Sequence, residues 1–575
     1  MWLITNKSFR KESRPELNYL SLSGIQVITD QPIHSGFSLK YHWLVDGNLL
    51  PASSDFTGRA SVLQPASQES LYLKYKDEFI RHVRGNFIII RIDHIGFSVY
   101  SDPFAIRKYF IWQLRNEFII SDNLTCILEL VKLTPSVLNM ALYSVFYHFT
   151  GGRTLFSEVR HNQPGEIVEY DGQKIRFKQY WHPRDLLNNS VKEITIDRLT
   201  GKIKNFISAT ILDDQSISLS LTGGGDTRNL LAAFLALGIR PHLYTYGNPA
   251  SVDGVRAKTI ARGLGLDHIV HDIKMDKDTF SRRARDIIKL GNGLASIHRV
   301  HRLVAVEREK EFADYMYLGS LGGEFVKGVS EDDYIIPSVV YKNWRLDHLT
   351  PSDVRHYLTL KRVKAGDEIL ADITDQINNE PFMKGDLISR KINALSYITA
   401  HLHDAQDINL YRSVMKEVFT PFLDIDYLET IFSSRYSFSI KELEGNKYLK
   451  RLSNPVYSSE FLRNLFPPLL GYKYSGEHKP SEVLFNKYYA ALMKTIRQKT
   501  KPRYPVNFAL GKWMEDFIAE NLPPCYDYPV LRQTFDLDRL IEDLRNDKHT
   551  PVESYWLKFS NPVMMRFIIE EFKNV

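Results

Sequence analysis

The sequence predicts an α+β portion followed by an α/β portion, and three observations carry that expectation. Residues 1–185 hold short alternating apolar runs divided by turn residues, the pattern of half-buried strands. From about residue 195 strand-like and helix-like runs alternate in βαβαβ order, which requires a parallel sheet with right-handed crossovers. After about residue 350 helical periodicity dominates. A chain of 575 residues is long enough for roughly two to four domains. The expected division is residues 1–185 and residues 195–575.

In the first portion Phe87–Ile92, Gly96–Tyr100 and Phe118–Ser121 read as strands. In the second, the strand Ser216–Leu221 enters a glycine turn and then an apolar helix ending near Gly238. The strand Pro241–Tyr246, a helix from about Ser251 to Leu264, the strand Asp267–Ile273 and the strand Tyr315–Gly319 follow. Ser251 and Asp253 stand where helix-capping residues belong. His268 and His271 fall on opposite faces of one strand, so they make no metal pair and read as structural.

Composition excludes several classes. Apolar residues make up 43% and charged residues 25%, as in soluble globular proteins. A formal charge of +6 is mild for this length and does not argue for nucleic acid. The two cysteines, Cys126 and Cys525, build neither a disulfide framework nor a zinc spacing, so a reducing cytoplasm is the expected compartment. The opening MWLITNKSFRKE has no apolar signal region, and no apolar run approaches transmembrane length. Neither a nucleic-acid nor a membrane partner is expected.

Chemistry concentrates in the turn Leu221-Thr222-Gly223-Gly224-Gly225-Asp226-Thr227. Glycines let backbone approach a phosphate closely, and a helix start offers unpaired N–H groups and a positive dipole end. Asp226 fits such a site if a divalent cation bridges its carboxylate to the phosphates. No Gly-Lys-Ser/Thr closes the turn, so it is not a Walker A loop. It resembles the pyrophosphate loop of ATP-pyrophosphatase enzymes, written SGGxDS, with Thr222 and Thr227 in place of the serines. Such enzymes cut ATP to AMP and pyrophosphate and so adenylate a carboxylate.

The whole chain resembles the glutamine-dependent asparagine synthetase family. Gly85-Asn86-Phe87, Ser101-Asp102-Pro103 and Phe118-Ile119-Ile120-Ser121-Asp122 are similar to landmarks of its N-terminal half. Thr154-Leu155-Phe156, Pro164-Gly165-Glu166 and Tyr180-Trp181 match its linker, and Tyr244-Thr245-Tyr246-Gly247 and Pro421-Phe422-Leu423-Asp424 its synthetase half. The resemblance implies an N-terminal Ntn-hydrolase-like β-rich sandwich. It implies a C-terminal ATP-pyrophosphatase domain of the adenine nucleotide α-hydrolase-like type, with a helical C-terminal part. ATP and magnesium are the implied cofactors. Leu221 to Thr227, with Tyr246, Gly247, Leu318 and Gly319 at strand ends, would bind the nucleotide, and Asp226 would hold the metal.

Departures from the family sharpen the reading. Amidotransferase members carry cysteine at the second position as nucleophile, and Trp2 stands there here. Ser101 and Ala105 replace the arginine and glycine of another landmark. The N-terminal half therefore reads as a retained, catalytically empty scaffold. In Gly319-Ser320-Leu321-Gly322-Gly323-Glu324 the family has an Asp-Glu pair. Glu324 is the only carboxylate of that turn in either register, and metal binding and helix-start charge are its two readings.

The family places a lysine late in the chain to neutralise charge on the α-phosphate. Lys473, Lys499 and Lys501 are the candidates, and Arg497-Gln498-Lys499 is most similar to the family's turn. Glu417 stands where family members often carry a glutamate, as proton acceptor or as partner of a lysine. Without a glutaminase the amine must come from elsewhere. The resemblance then implies an ATP-dependent amide ligase close to lasso-peptide macrolactam cyclases and β-lactam synthetases. Its substrate would be a peptide or small molecule bearing carboxylate and amine, with a precursor peptide and a leader protease as partners in the cyclase case. An ammonia-using synthetase and a non-catalytic ATP-binding regulator are the alternatives.

Overall fold

The computed structural model describes residues 1–7, 17–22, 24–35, 40–51, 65–188, 193–211, 215–329, 337–346, 348–443, 447–508, 510–546 and 553–573. The protein is mixed α/β, with an N-terminal region of antiparallel sheets and a later parallel sheet. One six-stranded antiparallel sheet runs in the order Val159–His161, Phe110–Leu114, Glu117–Ser121, Trp2–Thr5, Ile25–Thr29, Asn18–Leu22. The other runs Ile175–Gln179, Glu166–Tyr170, Phe97–Ser101, Phe87–Ile92, His42–Gly47, His34–Ser35.

Side-chain alternation explains how these sheets stack. Trp2, Ile4, Val27, Ile111 and Ile120 of the first sheet meet Leu44, Ile88, Ile90, Val99 and Val168 of the second in one core. Leu3, Ile28, Phe110 and Ile119 point the other way, into the core shared with the rest of the chain. The first sheet is thus apolar on both faces. Trp2 is fully buried and lies 5.7 Å from Tyr109, ring centre to ring centre.

The five-stranded parallel sheet has the order His268–His271, His242–Tyr246, Ile217–Ser220, Tyr315–Tyr317, Glu417–Phe419. Its first three strands in sequence spread one way from Ile217–Ser220, and the last two pair on the other side. The order reverses between Ile217–Ser220 and Tyr315–Tyr317, and the crevice beyond the carboxyl ends of such strands is where α/β sheets bind ligands. The helices Ile196–Thr210, Asp226–Ala236 and Lys447–Leu465 pack on one another beside it.

Predicted strands and helices in this region fall within a residue or two of the observed ones, the largest differences being the trimming of Asp267–Ile273 to His268–His271 and of Tyr315–Gly319 to Tyr315–Tyr317. The edge strand Glu417–Phe419 is a departure, since the sequence reads there as helical. Among the described residues no helix is long and apolar enough to cross a membrane.

Charged groups fasten the antiparallel region to the parallel sheet. The buried Arg107 guanidinium pairs with Asp46 and, at 2.6 Å, with Glu417, and its Nε donates to the Asn86 carbonyl at 2.9 Å. Arg412 pairs with the same Asp46 at 2.9 Å. Arg84 pairs with the buried Asp424, and Asn86 Nδ2 donates to Thr420 Oγ1 at 2.8 Å. The Pro421-Phe422-Leu423-Asp424 segment is therefore part of the junction as well as of the sheet's edge.

Candidate functional site

The glycine turn leaves Ile217–Ser220 at the carboxyl edge of the parallel sheet, beside the reversal in strand order. Its residues hold one another. Thr222 N donates to Thr227 Oγ1 at 3.3 Å, and Gly224 N donates to Thr222 Oγ1 at 3.2 Å. The helix Asp226–Ala236 starts with Gly225 as N-cap and no capping side chain, so its first N–H groups face the turn without that partner.

None of the three glycines has a positive φ, so left-handed backbone is not what requires them. Close neighbours do. A Cβ on Gly223 would lie 2.0 Å from Ser475 Oγ, and one on Gly225 would lie 3.0 Å from Ser458 Oγ. Gly224 is exposed, and a Cβ there would meet only Thr222 Oγ1.

A second segment clasps the turn. Ser475 N donates to the Gly223 carbonyl at 2.9 Å, while Asp253 Oδ1 accepts from Gly223 N at 3.0 Å and from Ser475 Oγ at 3.2 Å. Arg228, buried one turn into the helix, donates to the Tyr472 carbonyl at 2.8 Å and to the Lys473 carbonyl at 3.0 Å. Its guanidinium lies over the Tyr474 ring. Ser458 joins Asn229 to Tyr474 through bonds of 2.9 Å each. Asp253 is thus more than the helix-capping residue that its position suggests. Ser251 does cap, accepting from Gly254 N at 3.2 Å.

The turn after Tyr315–Tyr317 closes the other side. Leu318 N donates to the Phe419 carbonyl at 2.9 Å. Gly319 and Gly322 have no room for side chains: a Cβ on Gly319 would lie 3.0 Å from Thr227 N, and one on Gly322 would lie 3.0 Å from Asp226 Cβ. This packing brings Glu324 to Asp226. Burial, then the Glu324 charge, pushes the Asp226 carboxyl up to about 8. Glu324 pairs with Lys327 at 3.0 Å through Oε1, while its buried Oε2 has no hydrogen-bond partner.

Asp404, at the end of the π-helical stretch Leu395–Asp404, also faces Glu324 and hydrogen-bonds Ser320. Burial, then Glu324, pushes its carboxyl up to about 7. No sequence signal marks Asp404, because the π-helical widening that turns it inward leaves no periodic trace.

Two like charges with an orphaned carboxylate oxygen fit a divalent cation. Among the described residues no group of three or more potential ligands forms a complete metal cage. Magnesium commonly takes one or two carboxylates and completes its shell with phosphate oxygens and water, so two protein carboxylates suffice.

The remaining candidates divide. Tyr246 and Gly247 end the neighbouring strand, but Gly247 N donates to the His271 carbonyl at 2.9 Å. Asn507 and Phe508 lie over Gly247, where a Cβ would come 2.2 Å from Asn507 Oδ1, and the Tyr246 ring stacks on Phe508 at 5.5 Å. Lys473 sits in the clasp, two residues before Ser475. Lys499 and Lys501 lie exposed at the end of the helix Lys487–Thr500 and just past it, with no bond to the glycine turn.

Glu417 requires correction as a proton acceptor. It begins the edge strand, at the amino edge of the sheet opposite the glycine turn, and its carboxylate serves the ion cluster of Arg107 and Arg412. The histidines are structural: His271 and His242 bond to Glu309 at 2.8 Å and 2.7 Å, and His268 to Thr245 Oγ1 at 2.8 Å.

No family model matches the chain, and no curated protein matches it. Two solved structures overlap it weakly. One, described as the allosteric regulatory enzyme of purine biosynthesis, is 12% identical, covers 42% of this chain and 62% of its own, and has a TM-score of 0.19. The other, glutamine phosphoribosylpyrophosphate amidotransferase from B. subtilis complexed with ADP and GMP, is 8% identical, covers 58% and 65%, and has a TM-score of 0.18. The chain spans less than two thirds of either, and likeness at that level assigns neither fold family nor activity.

Proposed function

We propose that the protein is an ATP-dependent amide ligase of the asparagine synthetase type, built on an ATP-pyrophosphatase domain, that adenylates a carboxylate and passes the acyl group to an amine. The observation that carries this reading is the Thr222–Thr227 turn at the reversal in strand order, with Asp226 facing Glu324 across it. Backbone N–H groups at the helix start would hold the leaving pyrophosphate. Asp226 and Glu324 would hold magnesium, which supplies neutralisation of phosphate charge.

In the first half-reaction a carboxylate oxygen attacks the α-phosphorus of ATP, the bond to the β-phosphate breaks, and pyrophosphate leaves. The protein's work is positioning and charge stabilisation. In the second, an amine nitrogen attacks the acyl carbon, the bond to AMP breaks, and the amine gives up a proton. Lys473 is our candidate for stabilising the α-phosphate: Arg228 and Ser475 hold its stretch of backbone beside the turn, and its ammonium, which rests against Glu477 at 3.5 Å, would have to leave that carboxylate to reach the nucleotide. Lys473→Ala should slow AMP formation on the order of a hundredfold, with ATP affinity changed far less. Steady-state kinetics and ATP titration together check this, and wild-type turnover would return the assignment to the basic helix at Lys499.

The amine donor is not glutamine. Trp2 is fully buried between the two antiparallel sheets, Cys126 is buried, and burial pushes the Cys525 thiol up to about 12. Glutamate release from glutamine should stay at background in the presence of ATP. Release above background would reveal a nucleophile elsewhere. With glutamine excluded, ring closure within one substrate is the favoured amide, a macrolactam of the lasso-peptide kind. Its product would be lighter than the linear peptide by one water. Asparagine formed from aspartate and ammonium salts would instead make the protein an ammonia-using synthetase.

A further inference from the structure

Beside the clasp lies the largest run of exposed apolar side chains among the described residues. Phe485 is 81% exposed, Tyr488 61%, Leu492 58% and Ile496 48%. The last three follow one another at i, i+4 and i+8 on the helix Lys487–Thr500 and form one stripe about 12 Å long. The helix is seated by its other side. Ala490 is buried, and Arg497 donates to the Glu477 carbonyl at 3.1 Å and pairs with Glu482 at 2.7 Å. Apolar groups at this spacing would face a core in most helices, and here they face solvent.

The charge around the stripe is one-sided. From Val483 to Met514 the sequence has no Asp or Glu and seven Lys or Arg. Arg497 is neutralised by Glu482, while Lys487 and Lys499 share the stripe's helix and the exposed Lys501 and Arg503 follow directly after its end.

We infer that this face docks an acidic amphipathic peptide segment, whose apolar side chains cover Tyr488, Leu492 and Ile496 and whose carboxylates pair with the bordering lysines and arginines. Helix-on-surface recognition of this kind reads anchors at i, i+4 and i+7 and gains specificity from complementary charge. A second copy of the chain does not suit the face, because a self-complementary contact would set one acid-free surface against another. Lys499 follows Leu492 by seven residues and Ile496 by three, so it ends the apolar stripe on the stripe's own face, and a lipid surface is the alternative that the vesicle arm of the test addresses. The aliphatic centre at Leu492 and Ile496 offers no π face to a nucleic-acid base.

The segment joins the fold at the turn that holds Ser475 against Gly223, so a bound peptide lies next to the candidate site. That the peptide is a substrate rests on the ligase reading, whereas the docking itself does not.

The test is fluorescence anisotropy with the full chain and no nucleotide. The probe is a fluorescein-labelled peptide of about five helical turns carrying leucine at helical spacing and glutamate elsewhere. Saturable binding that weakens with added salt is expected. Leu492→Glu with Ile496→Glu should weaken it at least tenfold, and so should Lys487→Glu with Arg503→Glu, with thermal unfolding unchanged. Leu492→Ser with Ile496→Ser provides the apolar arm if the glutamate pair unfolds.

Equal binding of the same peptide with glutamine for glutamate would overturn the inference. So would indifference to the Leu492 and Ile496 substitutions, or displacement of the peptide by phosphatidylserine vesicles or by single-stranded RNA through tighter binding of the same face. Docking is read without nucleotide and AMP formation in a separate assay with ATP, so binding with no AMP in the second assay would defeat the ligase reading alone, and AMP formation with no binding in the first would defeat the docking alone.

Discussion

Asp226→Asn should lower AMP formation on the order of a hundredfold or more and at the same time make the metal-free protein more stable at alkaline pH. Both effects follow from one geometry. Asp226 and Glu324 are brought together by Gly319 and Gly322, so on the proposed reading the aspartate would serve a cation at a cost to the fold. Its folded value of about 8 lies above the ordinary 3.8. Between those values the folded protein holds a proton that the unfolded chain releases, so stability falls as pH rises through that window. Asparagine removes the charge and with it the penalty. The variant's midpoint of urea unfolding should therefore exceed wild type increasingly as pH climbs toward about 8. Magnesium should raise the wild-type midpoint most at that end and the variant's hardly at all. A variant that loses activity and stability together would mean that Asp226 is structural.

The glycine turn and its helix were legible in the sequence because local chemistry dictates them: alternating apolar residues, three glycines and an apolar run at helical spacing need no distant partner. The approach of Glu324 to Asp226 was half legible, since the second turn's glycines are visible but their contacts are not. Asp253, Asp404, Arg228 and Ser475 were not legible as site residues. Each finds its partner at the site tens or hundreds of residues away, and each has an ordinary local role as cap, π-helix end, helix interior or loop. Glu417 misled for the same reason. Its distance in sequence from Pro421 is compatible with either edge of the sheet, and only the pairing of Tyr315 with Glu417 places it at the amino edge. A strand of three residues is too short for alternation to reveal.

Arg107→Ala carries the second large effect, a loss of about 3–5 kcal/mol of stability with the antiparallel region uncoupled from the parallel sheet. The guanidinium is fully buried and satisfies Asp46, Glu417 and the Asn86 carbonyl at once. Removing it leaves Asp46 and Glu417 to share Arg412 alone, and burial already pushes the Glu417 carboxyl upward despite Arg107. Desolvated charges left with too few partners cost far more than the intact cluster contributes. Calorimetry should show one transition for the wild type and two for Arg107→Ala, the first belonging to one region and the second to the other. Glu417→Gln with Arg107→Met should recover much of the loss, since it removes charge from both sides. A single transition at the wild-type temperature in Arg107→Ala would mean that the apolar core alone joins the regions.

The central claim is that the Thr222–Thr227 turn breaks ATP between its α- and β-phosphates to activate a carboxylate. Product analysis tests it most directly. ATP radiolabelled on its α-phosphate would be incubated with the full chain, magnesium and peptide fractions from the cells that make the protein. Labelled AMP and pyrophosphate in equal amount are expected, with AMP from Asp226→Asn lower on the order of a hundredfold or more. Labelled ADP with release of orthophosphate would contradict it, because the carboxylate would then be phosphorylated and the turn would have no leaving pyrophosphate to hold.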